Sequence, residues 1–156
     1  MADISNDDKL FAGTTQKTAV GTTELMAVLF RNPSGSSGAV RIKKMVFTNS
    51  HTVSSFIRVR VYVSPTVTSA GTGVTEVALD LGSGNTAVAE MFLTPTISAN
   101  GTQILDMQVP GGAAGVTQTI DFPDGFDVRA NNNVLITAIA DGTGRILNTS
   151  IIWEEN

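Results

Sequence analysis

The stretch that most limits what this chain can become is residues 40–65, VRIKKMVFTNSHTVSSFIRVRVYVSP. In its second half Ile57, Val59, Val61 and Val63 alternate with Phe56, Arg58, Arg60 and Tyr62. That is the period of an antiparallel strand with one buried face. In its first half Val40, Ile42, Lys44, Val46 and Thr48 alternate with Arg41, Lys43, Met45 and Phe47. Thr-Asn-Ser-His-Thr lies between, and such side chains bond their own backbone in turns. The expectation is a long hairpin whose apolar face, Ile57 to Val63, must be covered by a second sheet, hence an antiparallel β-sandwich.

The remainder of the chain repeats this grammar. Residues 23–31, TELMAVLFR, read as a strand because Asn32-Pro33 and a Gly/Ser run stop them early. Residues 66–73 read as a Ser/Thr/Gly loop. Further strands are expected at 74–81 (Val77, Leu79 and Leu81 on one face), 87–93, 103–109, 117–122 and 126–129. Residues 134–140 and 145–153, joined through Asp141-Gly142-Thr143-Gly144, read as a closing hairpin. The total is about eight to ten strands, with no helix and no internal repeat. Fifteen glycines and a charged fraction of only 15% suit short strands and many turns rather than helical bundles. Residues 1–16 lack apolar periodicity and read as an extended N-terminal arm, with Leu10 and Phe11 as apolar anchors for a partner; residues 17–156 form one sandwich domain.

Charge is unevenly spread. Residues 1–78 hold eight Lys/Arg against five Asp/Glu, and residues 79–156 hold two against nine. The basic side chains Arg41, Lys43, Arg58 and Arg60, with Lys44, gather on the 40–65 stretch. On a strand face such residues discourage edge pairing. The sharper expectation is that they meet the acidic half of a neighbouring copy. A net charge of −4 argues against nucleic acid, which needs clustered cations. No apolar run reaches the length of a membrane span, and the start MADISNDDKL is acidic where a signal peptide is basic, so the expectation is a soluble protein made without an export signal.

Reactive chemistry is sparse. There is no Cys and a single histidine, His51, in a turn. The glycine turns 82–84 and 142–144 lack the Gly-Lys-Ser/Thr of a phosphate loop. Asp121, Asp124 and Asp127 flank Gly125 without the spacing of a calcium loop. Trp153 reads as packing rather than a sugar platform. The expectation is a protein that is not an enzyme and has no cofactor and no metal.

Five segments carry a family resemblance: LFAGTTQKT, LFRNPSGSSGAVRIKKMVFTNS, FIRVRVYVSP, DFPDGFDVRANNNVLITAIA and IIWEE. In this order they resemble the small jelly-roll proteins of tailed-bacteriophage virions, with their Asn-Pro-small-Gly turn and late Phe-Pro-x-Gly-Phe-x-Val turn. The resemblance spans most of residues 10–155 and rests on turn and strand patterns. It implies a jelly-roll sandwich and a homotrimer that decorates (cements) and stabilises the outer surface of a phage head after synthesis in the host cytoplasm. Its partners would be the major capsid protein and itself, with no nucleic acid and no membrane. It implies no catalytic residues. The alternative within the resemblance is a receptor- or carbohydrate-binding knob of a head fibre or tail.

Overall fold

The computed structural model describes residues 9–36, 38–80, 84–112 and 116–156. In chain order the strands are β1 (Lys9–Val20), β2 (Leu25–Asn32), β3 (Val40–Asn49), β4 (Ser55–Val63), β5 (Thr66–Ser69), β6 (Thr72–Val74), β7 (Val77–Ala78), β8 (Glu90–Leu93), β9 (Thr96–Ala99), β10 (Thr102–Gly111), β11 (Thr117–Val128), β12 (Asn132–Ala140) and β13 (Arg145–Glu155). They form a five-stranded sheet, β11-β3-β13-β1-β7, a six-stranded sheet, β10-β4-β12-β2-β8-β6, and a two-stranded ribbon, β5-β9. The two large sheets pack face to face over one apolar core, so the chain is an antiparallel β-sandwich.

The pairing is nested. β1 pairs with β13, β2 with β12, β3 with β11 and β4 with β10, all antiparallel. Successive members of this set alternate between sheets. The expected hairpins at 40–65 and 134–153 are therefore corrected: β3 and β4 lie in different sheets, as do β12 and β13. Their polar connections carry the chain across the roughly 10 Å between layers instead of turning it back within one. Alternation identifies the buried face of a strand but not its partner.

Ile57, Val59 and Val61 are fully buried, as expected, while Val63 at the strand end is only half-buried. In β3 the expected faces hold only for Val40 and Ile42. Against β13, Trp153 pairs with Ile42 and Ile152 with Lys44, leaving Lys43 as an extra residue. This bulge reverses the alternation, so Met45, Phe47 and Asn49 turn inward with Val40 and Ile42, although they belong to the other alternating set.

Residues 9–16 are not an arm. They belong to β1, which runs beside β13 from Lys9↔Glu155 to Lys17↔Leu147. The inward positions there are Phe11, Gly13 and Thr15, two of which are not apolar, so no hydrophobic period was visible. Residues 1–8, the rest of the expected arm, lie outside the described residues.

The expected strand at 74–81 is divided between β6 and β7, which join different sheets, and Val77 and Leu79 are exposed. Leu81 lies outside the described residues. At 117–129 one strand, β11, replaces the two expected; it accommodates Pro123-Asp124-Gly125 as an irregularity between Asp121 and Phe126.

The expected loop at 66–73 is half of an internal repeat that the sequence reading did not find. YVSPTVTSAGTG (62–73) and FLTPTISANGTQ (92–103) follow equivalent paths. Ser64 and Thr94 each take φ 56°, and Gly71 and Gly101 take φ 95° and 86°. Thr72 pairs with Leu93 as Thr102 pairs with Val63. The amide of Ser64 donates to Asn133 O, and that of Thr94 to Ala27 O. Val67 pairs with Ile97, its own counterpart, which places a local twofold axis through that pair. The axis also relates β4 to β8 and β12 to β2.

Leu29 and Leu135 pair with each other and alternate with core residues Val28, Phe30, Val134 and Ile136, so they project from the outer face of the six-stranded sheet. Both are nonetheless fully buried. The β5–β9 ribbon forms a strap that joins the ends of β4 and β8 outside the two large sheets.

At the centre of the main core Trp153 stacks on Phe11 (6.0 Å between ring centroids) and meets Phe30 edge-on (5.1 Å). It thereby ties both sheets together. Its Nε1 donates to Glu155 Oε1 at 2.8 Å. The same buried carboxylate accepts the amides of Val88 and Ala89 at 2.9–3.0 Å. A buried acid is tolerated here because donors surround it.

Candidate functional site

The structure separates the six residues expected to contact a partner. Phe11 is 1% exposed and belongs to the core, so its role as an external anchor is corrected. Leu10, the next residue along an alternating strand, points outward and is 44% exposed. Arg41 and Lys43 lie on β3, in the five-stranded sheet, whereas Arg58 and Arg60 lie on the outer side of β4, in the six-stranded sheet. They do not form one basic face.

Most of these cations also meet acids of their own chain. Arg41 Nε lies 2.8 Å from Asp127, with Glu154 at 3.7 Å. Lys43 reaches Glu154 at 3.7 Å and Lys44 reaches Asp121 at 3.4 Å. Arg58 grips Asp106 with two hydrogen bonds, at 2.6 and 2.7 Å. Arg60 reaches Glu24 at 3.2 Å and Asp106 at 3.4 Å. The uneven charge of the two halves is thus matched within the chain, because nested pairing lays basic β3 and β4 beside acidic β11, β13 and β10. The expectation that these cations seek a neighbour's acids loses its premise. Exposed pairs of this kind contribute about 0–1 kcal/mol each.

The face of the six-stranded sheet carries the denser network. Glu24 accepts from Thr137 Oγ1 (2.6 Å), Tyr62 Oη (3.1 Å) and Arg60 (3.2 Å). Burial pushes the Glu24 carboxyl up, but these hydrogen bonds and the Arg60 charge outweigh it, and it titrates below its ordinary 4.5. The Arg58 hydrogen bond draws Asp106 below its ordinary 3.8. A carboxylate whose folded pKa is depressed contributes stability that is present above its unfolded pKa and lost as pH falls through the folded one. Stability should therefore decline as pH drops below about 4.5. Glu24→Gln and Asp106→Asn should each flatten that acid limb in urea melts taken across it. A limb as steep as that of the parent protein would show that neither group drives it.

The five-stranded sheet presents a different surface. Ala12 pairs with Ile152 and with Val77, and the Leu79 amide donates to Leu10 O at 2.9 Å. Alternation from buried Phe11 and Trp153 sends Leu10, Ala12, Val77 and Ile152 outward together. Leu10, Leu79 and Val77 are 44%, 45% and 50% exposed. Beside them Leu10, Ile152, Phe122, Pro123, Lys43 and Lys44 border a shallow hollow of about 360 Å³. The result is an apolar strip bordered by the Lys43–Glu154 and Lys44–Asp121 ion pairs. Sequence reasoning found Leu10 but missed Val77, Leu79 and Ile152: it grouped the first two on one strand face without saying what that face meets. Asp121 and Asp127, once weighed as cation ligands, are the partners of Lys44 and Arg41.

A scan against protein-family models and a search of curated proteins each return no match for this chain.

Proposed function

We propose that this chain is a structural virion protein, a jelly-roll decoration protein that docks on the outside of a phage head as a homotrimer and stabilises it. The nested pairing of first strand with last supports the jelly-roll reading, since that fold is two interleaved Greek keys. The observation that carries the docking role is the apolar strip of Leu10, Val77, Leu79 and Ile152. Aliphatic side chains left half-exposed side by side mark interaction surfaces. Removing Leu10, Val77 and Leu79 from water is worth roughly 2–4 kcal/mol before association costs. Multiplied over three subunits, that is enough to hold a trimer on a repeating surface. The ion pairs, being internal, set the sandwich rather than the assembly. In this reading the major capsid protein covers the strip.

Leu10→Asp and Leu79→Asp test the docking role, because both positions are solvent-exposed and the fold should survive. Each variant is expected to rebind depleted particles about tenfold or more weakly while keeping the parent melting temperature. Parent-like rebinding by both variants would contradict docking through this strip.

A further inference from the structure

The local twofold that relates residues 62–73 to 92–103 is broken at one position with a chemical consequence. Where the first half has Ala70-Gly71, the second has Asn100-Gly101, the only Asn-Gly pair in the chain. The backbone nitrogen that follows an asparagine can attack the side-chain carboxamide carbon and close a five-membered ring. Glycine favours this attack, because it has no Cβ to shield the nitrogen or to restrict the backbone on approach.

The structure sets Asn100 apart from the other asparagines it describes. Asn32 and Asn49 are buried, and their side chains are held by Val128 O and Ser36, and by Ser55, Val109 O and the His51 amide. Asn132, Asn133 and Asn148 lie within β12 and β13. Asn85 and Asn131 stand in connections, but Thr86 and Asn132 follow them and carry a Cβ. Asn100 lies between β9 and β10 and belongs to neither. It is half-buried, Gly101 is exposed, and the pairing of β10 with β4 begins one residue later, at Thr102. Among the described residues no hydrogen-bond partner holds the Asn100 carboxamide.

We propose that Asn100 is a site of spontaneous deamidation in the folded protein, through a succinimide formed with Gly101. The Gly101 nitrogen gives its proton to solvent base and bonds to Asn100 Cγ. The bond from Cγ to the side-chain nitrogen breaks, and that nitrogen takes up a proton and leaves as ammonia. Water then adds to one ring carbonyl and breaks its bond to the Gly101 nitrogen, giving aspartate or isoaspartate; no oxidant, reductant or cofactor takes part. Isoaspartate carries an extra carbon in the main chain, and this joint has no room for it, since even a Cβ on Gly101 would strike Val63 O and Ser64. The strap should therefore loosen beside β4, while the Ala70 joint beside β8, which has no carboxamide, cannot change. This assignment is independent of docking through the five-stranded sheet.

The test is incubation of the folded full chain in heavy-oxygen water at mildly alkaline pH, followed by peptide mapping with mass spectrometry. Asn100 should convert to a mixture of aspartate and isoaspartate carrying a solvent oxygen, about tenfold or more faster than all other asparagines together. The isoaspartate fraction should melt at a lower temperature than Asn100→Asp, which has the same charge and an unlengthened backbone. Asn100→Ala, which copies Ala70, should stay a single charge species with the parent melting temperature. Conversion of Asn100 that appears only after unfolding in urea would overturn the assignment, as would conversion spread evenly over the asparagines of the folded chain.

Discussion

Trp153→Ala is expected to cost about 3–5 kcal/mol, a large share of the roughly 5–15 kcal/mol by which a domain of this size is held folded. Three losses coincide. The side chain is fully buried, so truncation leaves a cavity between the sheets. Phe11 on β1 and Phe30 on β2 lose their shared ring partner. Glu155 loses one of the donors that make its burial tolerable. Trp153→Phe should retain the stacking and forfeit chiefly the indole donor, costing about 1–2 kcal/mol. Far-UV circular dichroism in urea gives both values, which matters because this is the only tryptophan. Similar costs for the two substitutions would mean that the Glu155 hydrogen bond, not the aromatic packing, joins the layers there.

The strap should be nearly as sensitive, at two places and equally. A Cβ on Gly71 would sit against the carbonyl oxygen of Leu93, and one on Gly101 against that of Val63. Both glycines also hold φ in the left-handed region, which costs an L-residue about 1–2 kcal/mol by itself. Because the obstruction is backbone on both sides, Gly71→Ala and Gly101→Ala should each lose about 2–4 kcal/mol. Gly35→Ala is the control, with φ 85° but nothing within 4 Å of the added carbon, and should lose only about 1 kcal/mol. Near-equal losses at 71 and 101 are what the local twofold requires. A loss at one position alone would mean that the two halves do not share the same packing.

What the sequence made legible was local. The alternation of Ile57, Val59 and Val61 announced a buried strand face, and the Asn-Gly, Pro-Gly and Asp-Gly turns announced many short strands. Partner choice was not legible, because a period of two says nothing about which strand lies alongside. Hence β3 and β4 read as a hairpin although they stand in opposite sheets. The Lys43 bulge was equally hidden, since one unpaired residue reverses every later side chain without altering composition. β1 escaped notice because Gly13 and Thr15 take inward positions where aliphatics are looked for. The repeat at 62–73 and 92–103 was visible in principle: Ser-Pro-Thr-Val and Thr-Pro-Thr-Ile, each followed after three residues by a glycine, share one pattern. Its Ser, Thr and Gly read as loop formers, which hides the short strands. The candidate surface was partly legible in Leu10, but Val77, Leu79 and Ile152 gain meaning only once β7 is placed beside β1.

The pairing of charges carries a related lesson. Arg58 and Arg60 stand far along the chain from Asp106, and Arg41 from Asp127 and Glu154, so a tally by halves suggested a neighbour. Antiparallel nesting brings those segments together within one molecule, which leaves apolar surface as the resource for assembly.

The most direct test of the account is a subunit-resolved cryo-electron microscopy map of the phage head on which this chain is proposed to sit. The account predicts three copies around each occupied threefold position, with Leu10, Val77 and Leu79 turned onto the capsid shell and Arg58 and Arg60 turned away from it. Single copies at a tail or fibre tip, with that strip facing solvent, would contradict it.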